Sequence, residues 1–132
     1  DEMIRLVAEK RISDRFHFTG FMKGRQVYEV YHASDVYVMP SVSEPFGITP
    51  LEAMQCGVPC IISKQSGCSE ILTYAIKLDY WDVDAMADAM YALVTYPALH
   101  DLLSQRGLDE VAGITWDNVA LKIRGLYDQV LG

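Results

Sequence analysis

The chain has 132 residues, 51% of them hydrophobic and 22% charged, with 11 Lys and Arg against 18 Asp and Glu for a net charge of −7. This composition excludes disorder and low complexity and suits the buried interior of a single ordinary domain, residues 1–132. The acidic balance argues against a nucleic-acid surface, which needs clustered Lys and Arg.

The opening segment, DEMIRLVAEKRI, puts Met3, Ile4, Val7 and Ala8 on one helical face. It starts in mid-pattern, which suggests the carboxyl-terminal part of something longer. It has neither the apolar core nor the small-residue cleavage site of a signal peptide, and no apolar run in the chain approaches the length of a membrane span. A cytoplasmic protein without membrane association is expected.

Phe16 to Gly20 (FHFTG) reads as a short strand ending in a glycine turn, and GRQVYEVYHASD as a helix with Val27, Tyr28 and Tyr31 inward. DVYVMPS follows as a buried strand stopped by Pro40. A helix from about Pro50 to Cys56, ended by Gly57, precedes the apolar strand VPCII. A short helix around Ser69 to Leu72 and a strand near Ala75 to Leu78 complete the alternation. Strand and helix in turn predict an α/β, Rossmann-like parallel sheet covered on both faces.

From Asp82 the pattern is helical. Val83, Met86, Ala87, Met90, Leu93 and Val94 trace one apolar stripe as far as Pro97, and a second helix covers about Ala98 to Ala112. A third runs from Trp116 to about Val130, with Trp116, Val119, Ala120, Ile123, Tyr127 and Val130 in helical rhythm and Thr115 suited to its cap.

Cys56, Cys60 and Cys68 lack both CxxC spacing and a nearby histidine, so they are expected to be buried free thiols rather than zinc ligands or disulfide partners. Packing or surface roles are expected for His17, His32 and His100. Lys23, Arg25 and Lys64 are expected to be solvated surface charges.

The chemistry concentrates in SVSEPFGITPLEAMQCGVPCII, residues 41–62, where a loop feeds directly into a helix. Thr49-Pro50-Leu51-Glu52 reads locally as a capping box: Thr49 at the cap, Pro50 in the first turn, and Glu52 reaching back to the Thr49 N–H. That explanation leaves Glu44 without a role, although it stands where open α/β sheets bind ligands, beyond the carboxyl ends of their strands.

EPFGITPLE resembles the E-x7-E signature of the retaining, GT-B-fold glycosyltransferases of the group 1 (GT4) family. The likeness extends through FTGFM, VYHASDVYVMPS, EAMQCGVPCIIS and SGCSEIL, and so covers essentially the whole chain. It implies the carboxyl-terminal, donor-binding domain of a glycosyltransferase that takes a nucleotide-activated hexose, with glucose from ADP-glucose or UDP-glucose as first expectation. By the resemblance, Glu44 accepts from hydroxyls of the transferred sugar, and the N–H groups of Phe46 and Gly47 hold the same ring. Those of Ile48 and Thr49 receive the diphosphate, and Glu52 takes the ribose diol. Glu44 and Glu52 are thus the residues expected to carry catalysis. No metal and no cofactor beyond the donor substrate are implied. Glu70 matches a further acidic position of the family and also suits a helix start.

The family's diphosphate-gripping Arg and Lys, the first two strands of this domain and the acceptor-binding amino-terminal domain have no counterpart here. The chain alone is therefore expected to be inactive. Two other readings remain open: a GT-B-like sugar-nucleotide epimerase, and a non-catalytic nucleotide-binding module.

Overall fold

Cys60–Ser63 form strand β2, with all four residues buried. A computed structural model describes residues 2–131 and places β2 at the centre of a three-stranded sheet. β1 (Tyr37–Met39) and β3 (Ile76–Leu78) flank it, both parallel to it, with Val38 opposite Ile61 and Ile61 opposite Ile76. A strand buried on both faces needs no polar alternation, so VPCII could be continuous in hydrophobicity and still be a strand.

Among the described residues six helices accompany the sheet: α1 (Glu2–Glu9), α2 (Arg25–His32), α3 (Thr49–Gln55), α4 (Val83–Thr95), α5 (Pro97–Ala112) and α6 (Trp116–Leu131). Two 3-10 turns, Ser13–Arg15 and Gly67–Glu70, complete the described elements.

Alternation along β2 divides the core. Cys60 and Ile62 pack with Tyr31, Met39, Ala53, Met54 and Leu72, while Ile61 faces Met86 and Leu93. Each buried aliphatic side chain contributes about 1.5–3 kcal/mol relative to exposure. α5 serves both sides, with Leu99 and Leu103 against the second cluster and Val111 in the first. Its Gly107 allows close approach to α3, since a Cβ there would lie 2.9 Å from Met54 Cε. Gly57, at φ +76°, ends α3 in the left-handed region, and Ser104 of α5 donates to its carbonyl at 2.6 Å.

The structure departs from the sequence pattern in several places, among them Tyr28, which was expected to face inward and is exposed. Residues 16–20 form no strand, and Phe16 and Phe18 are exposed, because no strand is paired with that segment among the described residues. The α4 stripe is only half used: Met86 and Leu93 are buried, whereas Val83, Met90 and Val94 face solvent. α6 forms with its cap as expected, Thr115 Oγ1 accepting from the Asn118 N–H at 3.2 Å, but it buries no side chain. No described helix is long and apolar enough to cross a membrane.

Candidate functional site

The site is built where β1 and β2 release the chain at their carboxyl ends. Ser63, the last residue of β2, donates its hydroxyl to the Ser41 carbonyl at 2.7 Å and so ties the two strand ends together. Beyond them the loops run side by side as a parallel bridge between Glu44 and Ser66. The Gly67 N–H donates to the Glu44 carbonyl at 2.9 Å, and the Cys68 N–H to the Phe46 carbonyl at 2.6 Å.

Such proximity requires glycine at position 67, where a Cβ would lie 2.0 Å from the Pro45 carbonyl oxygen. Ser66, buried beneath, donates to the Ser63 carbonyl at 2.6 Å and accepts from the Cys68 thiol. The glutamate loop therefore rests on a hydrogen-bonded floor.

Gly47, at φ +85°, turns the loop toward α3. Met39 Cε, Glu44 Cγ and Cys68 Sγ converge where its Cβ would be, at 3.1, 3.2 and 3.4 Å, so the Glu44 stem lies over the Gly47 backbone. Among the described residues, nothing in the protein hydrogen-bonds or ion-pairs with the half-buried Glu44 carboxylate. The N–H groups of Phe46, Gly47, Ile48 and Thr49 likewise find no acceptor among them.

The expected capping box is absent. Ile48, in helical conformation, occupies the cap position without a side-chain bond, and its carbonyl accepts from both the Leu51 and Glu52 N–H groups. Thr49 Oγ1 is bound instead to the Tyr37 hydroxyl at 2.7 Å and lies 3.9 Å from Met39 Sδ. Glu52, half-buried one turn into α3, accepts from the Tyr31 hydroxyl at 3.5 Å. Two tyrosines from α2 and β1 have taken the partners that a capping box would have joined.

Burial, reinforced by Tyr37 and Glu52, pushes the Tyr31 phenol up to about 12. Burial also raises Tyr37, against the opposing effect of its bond to Thr49. Both phenols therefore remain protonated at neutral pH.

Glu44, Phe46, Gly47, Ile48, Thr49 and Glu52 thus lie on one continuous loop and helix start, with Phe46, Ile48 and Thr49 exposed. Sequence reasoning missed Tyr31, Tyr37 and Gly67. Tyr31 falls on the inward face of its helix, and the Tyr37–Thr49 pair spans twelve residues with no local pattern to reveal it.

Lys64 is held away from this loop. It pairs with Asp79 at 2.9 Å beyond β3, where hydrogen bonds from Lys64 and Gln65 hold the Asp79 carboxyl below its usual range. Lys23, Arg25, His17 and His32 are exposed, and His100 packs against the Asp35 carbonyl. Glu70 ends the second 3-10 turn and faces solvent rather than opening a helix. All three cysteines are free; Cys60 and Cys68 are buried and Cys56 is half-buried.

A cavity of about 260 Å³ lies at the other end of β1, between Asp35, Leu93, Pro97 and His100. The glutamate loop lines neither it nor the hollow along α6.

Three parallel strands flanked by helices, with the glutamate loop beyond their carboxyl ends, define an α/β protein of the Rossmann-like class. The family model for glycosyl transferases group 1 matches residues 1–107, and the chain belongs to this family.

It is 26% identical over 121 residues to mannosylfructose-phosphate synthase of Agrobacterium fabrum, covering 89% of this chain and 27% of that protein. It is 30% identical over 129 residues to D-inositol 3-phosphate glycosyltransferase of Stackebrandtia nassauensis, covering 96% and 29% respectively. The fold superposes on sucrose-phosphate synthase from Thermosynechococcus elongatus with a TM-score of 0.83 and 31% identity, over 98% of this chain and 33% of that one. The chain spans less than a third of the length of these two curated relatives. Its sheet and helices match the carboxyl-terminal domain of GT-B glycosyltransferases, as the glutamate motif implied.

Proposed function

We propose that the chain is the donor-binding domain of a retaining glycosyltransferase, which moves a hexose from a nucleoside diphosphate to an acceptor held by another part of the complete enzyme. The observation that carries this reading is the Glu44 carboxylate beside four consecutive N–H groups, all on one loop beyond the strand ends and none with a partner among the described residues.

Sugar hydroxyls donate and carboxylates accept, so Glu44 suits the transferred ring, with the Phe46 and Gly47 amides against the same sugar. The Ile48 and Thr49 amides suit the diphosphate. Pro50 has no N–H to offer there. Glu52 suits the ribose diol.

In the transfer, the bond between the anomeric carbon and the diphosphate oxygen breaks, a new bond forms to the acceptor hydroxyl oxygen on the same face, and the hydroxyl proton passes to the departing diphosphate. The departing diphosphate gains negative charge, which fixed N–H donors stabilise without reorganising. The acidic chain supplies that stabilisation locally, through backbone dipoles, rather than through net charge. ADP-glucose and UDP-glucose are the first donors to test.

Glu44→Ala in the complete enzyme should reduce transfer to a few per cent or less, with the thermal midpoint near the parent's, because the carboxylate makes no hydrogen bond or ion pair among the described residues. Turnover and thermal unfolding measured on the same preparation check this. Near-parent turnover would remove Glu44 from the site.

A further inference from the structure

Tyr31 is buried on the inward face of α2, and its ring meets that of Tyr37 edge to face, with centroids 5.9 Å apart and planes at 76°. A buried phenol needs a hydrogen-bond partner. Among the described residues, the only partner of the Tyr31 hydroxyl is Glu52 Oε2, at 3.5 Å, longer than the roughly 2.5–3.0 Å of a tight O–H···O bond and short enough to close on a small side-chain rotation.

Tyr37 does not compete for the carboxylate, since its own hydroxyl is bound to Thr49 Oγ1. The two rings thus link α2 and β1 to the first turn of α3 through one polar side chain each. Among the described residues only one oxygen of Glu52 meets a donor, so the other remains available as an acceptor. A donor on one side biases the carboxylate toward one orientation, which lowers the side-chain freedom a ligand would otherwise have to remove on binding.

We propose that Tyr31 is a positioning residue of the candidate site, whose hydroxyl, with its ring fixed by Tyr37, orients the Glu52 carboxylate toward the ribose diol of the donor. This rests on the assignment of Glu52 to ribose made above. Phenylalanine at 31 would fill the same space and keep the edge-to-face contact, so the hydroxyl alone carries the effect. The suppressed ionisation of Tyr31 agrees with this role, because burial keeps the phenol protonated and a donor over the whole working range of pH.

The test is calorimetric titration of the complete enzyme with UDP, ADP and GDP, then with the 2′,3′-dideoxy form of whichever binds. Parent, Tyr31→Phe, Glu52→Gln and the double variant are compared. Loss of one net hydrogen bond predicts that Tyr31→Phe weakens the ribonucleotide about three- to tenfold. Binding of the dideoxy form should move less than about twofold, and the substitution should have no further effect in the Glu52→Gln background.

If Tyr31→Phe keeps the parent's preference for the ribonucleotide while Glu52→Gln loses it, the positioning role is overturned and the ribose assignment stands. Equal weakening of both nucleotide forms by Tyr31→Phe would make Tyr31 a packing residue and overturn the proposal. A parent that binds both forms alike, or none of the three diphosphates, overturns the ribose assignment and the proposal together.

Discussion

Cys60 shows how strongly a single residue can feel this sheet. Its thiol lies on β2 without solvent exposure, within 3.5 Å of the Pro50 carbonyl and 3.4 Å of the Val58 carbonyl. Burial, with a smaller repulsion from Cys68, pushes it from 9.0 up to about 12. The unfolded chain therefore releases this proton from about pH 9, while the folded chain holds it to about 12. Across that window the native state binds more protons, so stability falls as pH rises, by about 1.4 kcal/mol per pH unit for one group. Tyr31 adds to the loss from pH 10, its ordinary value, up to about 12. Urea unfolding at pH 8, 9 and 10 should show the decline beginning near pH 9. Cys60→Ala should start from a lower stability but give a flatter profile between pH 9 and 10. An equal slope in both proteins would mean that the thiol is hydrated in solution.

Among the elements, the paired loops after β1 and β2 depend on Gly67. An alanine Cβ cannot coexist with the Pro45 carbonyl at 2.0 Å, and backbone rather than a flexible side chain would have to yield. Gly67→Ala should therefore destabilise the chain by about 1–3 kcal/mol, in the range of overpacked sites. It should also weaken donor binding by displacing Glu44 and Phe46, which the loop bonds hold. Gly125→Ala is the control, since its Cβ would meet nothing within 4 Å in the interior of α6, and it should be neutral or slightly stabilising. Denaturant midpoints and donor affinity measured on both variants check the pair; an unperturbed Gly67→Ala would show that the loops separate freely. The same loops mark the limit of local sequence rules. α3 and α5 were legible because Pro opens them and Gly follows them, β2 because its apolar run is unbroken, and α6 because its apolar rhythm follows the Thr115 cap. The two glutamates were legible from their spacing and context. The cap was misread because the Thr49 hydroxyl is claimed by Tyr37, a tertiary partner that no window around Thr49 contains. Alternating phenylalanines at 16 and 18 have the pattern of a strand, but pattern alone supplies no neighbour for hydrogen bonding.

At the scale of the whole molecule, the sheet and its two apolar clusters account for the fold, and α6 stands outside them. Its stripe is apolar in sequence, yet Trp116 is 88% exposed, Val130 82% and Leu131 80%. A helix of 16 residues is marginal in water by itself, because ordering each residue costs about 1–2 kcal/mol and only packing of an apolar face offsets it. With no side chain buried, α6 contributes almost nothing to the stability of this chain. Truncation after Thr115 should therefore leave the free energy of unfolding in urea within about 1 kcal/mol of the parent's, in the range of changes that touch no core. Leu93→Ala, which empties a fully buried position beside Ile61, should cost about 2–5 kcal/mol in the same assay. Far-UV circular dichroism should fall by less than 16 helical residues on truncation, since an unpacked α6 is frayed in the parent as well. If truncation costs as much as Leu93→Ala, α6 is folded back onto the sheet in solution. The exposed stripe would then belong to the interior.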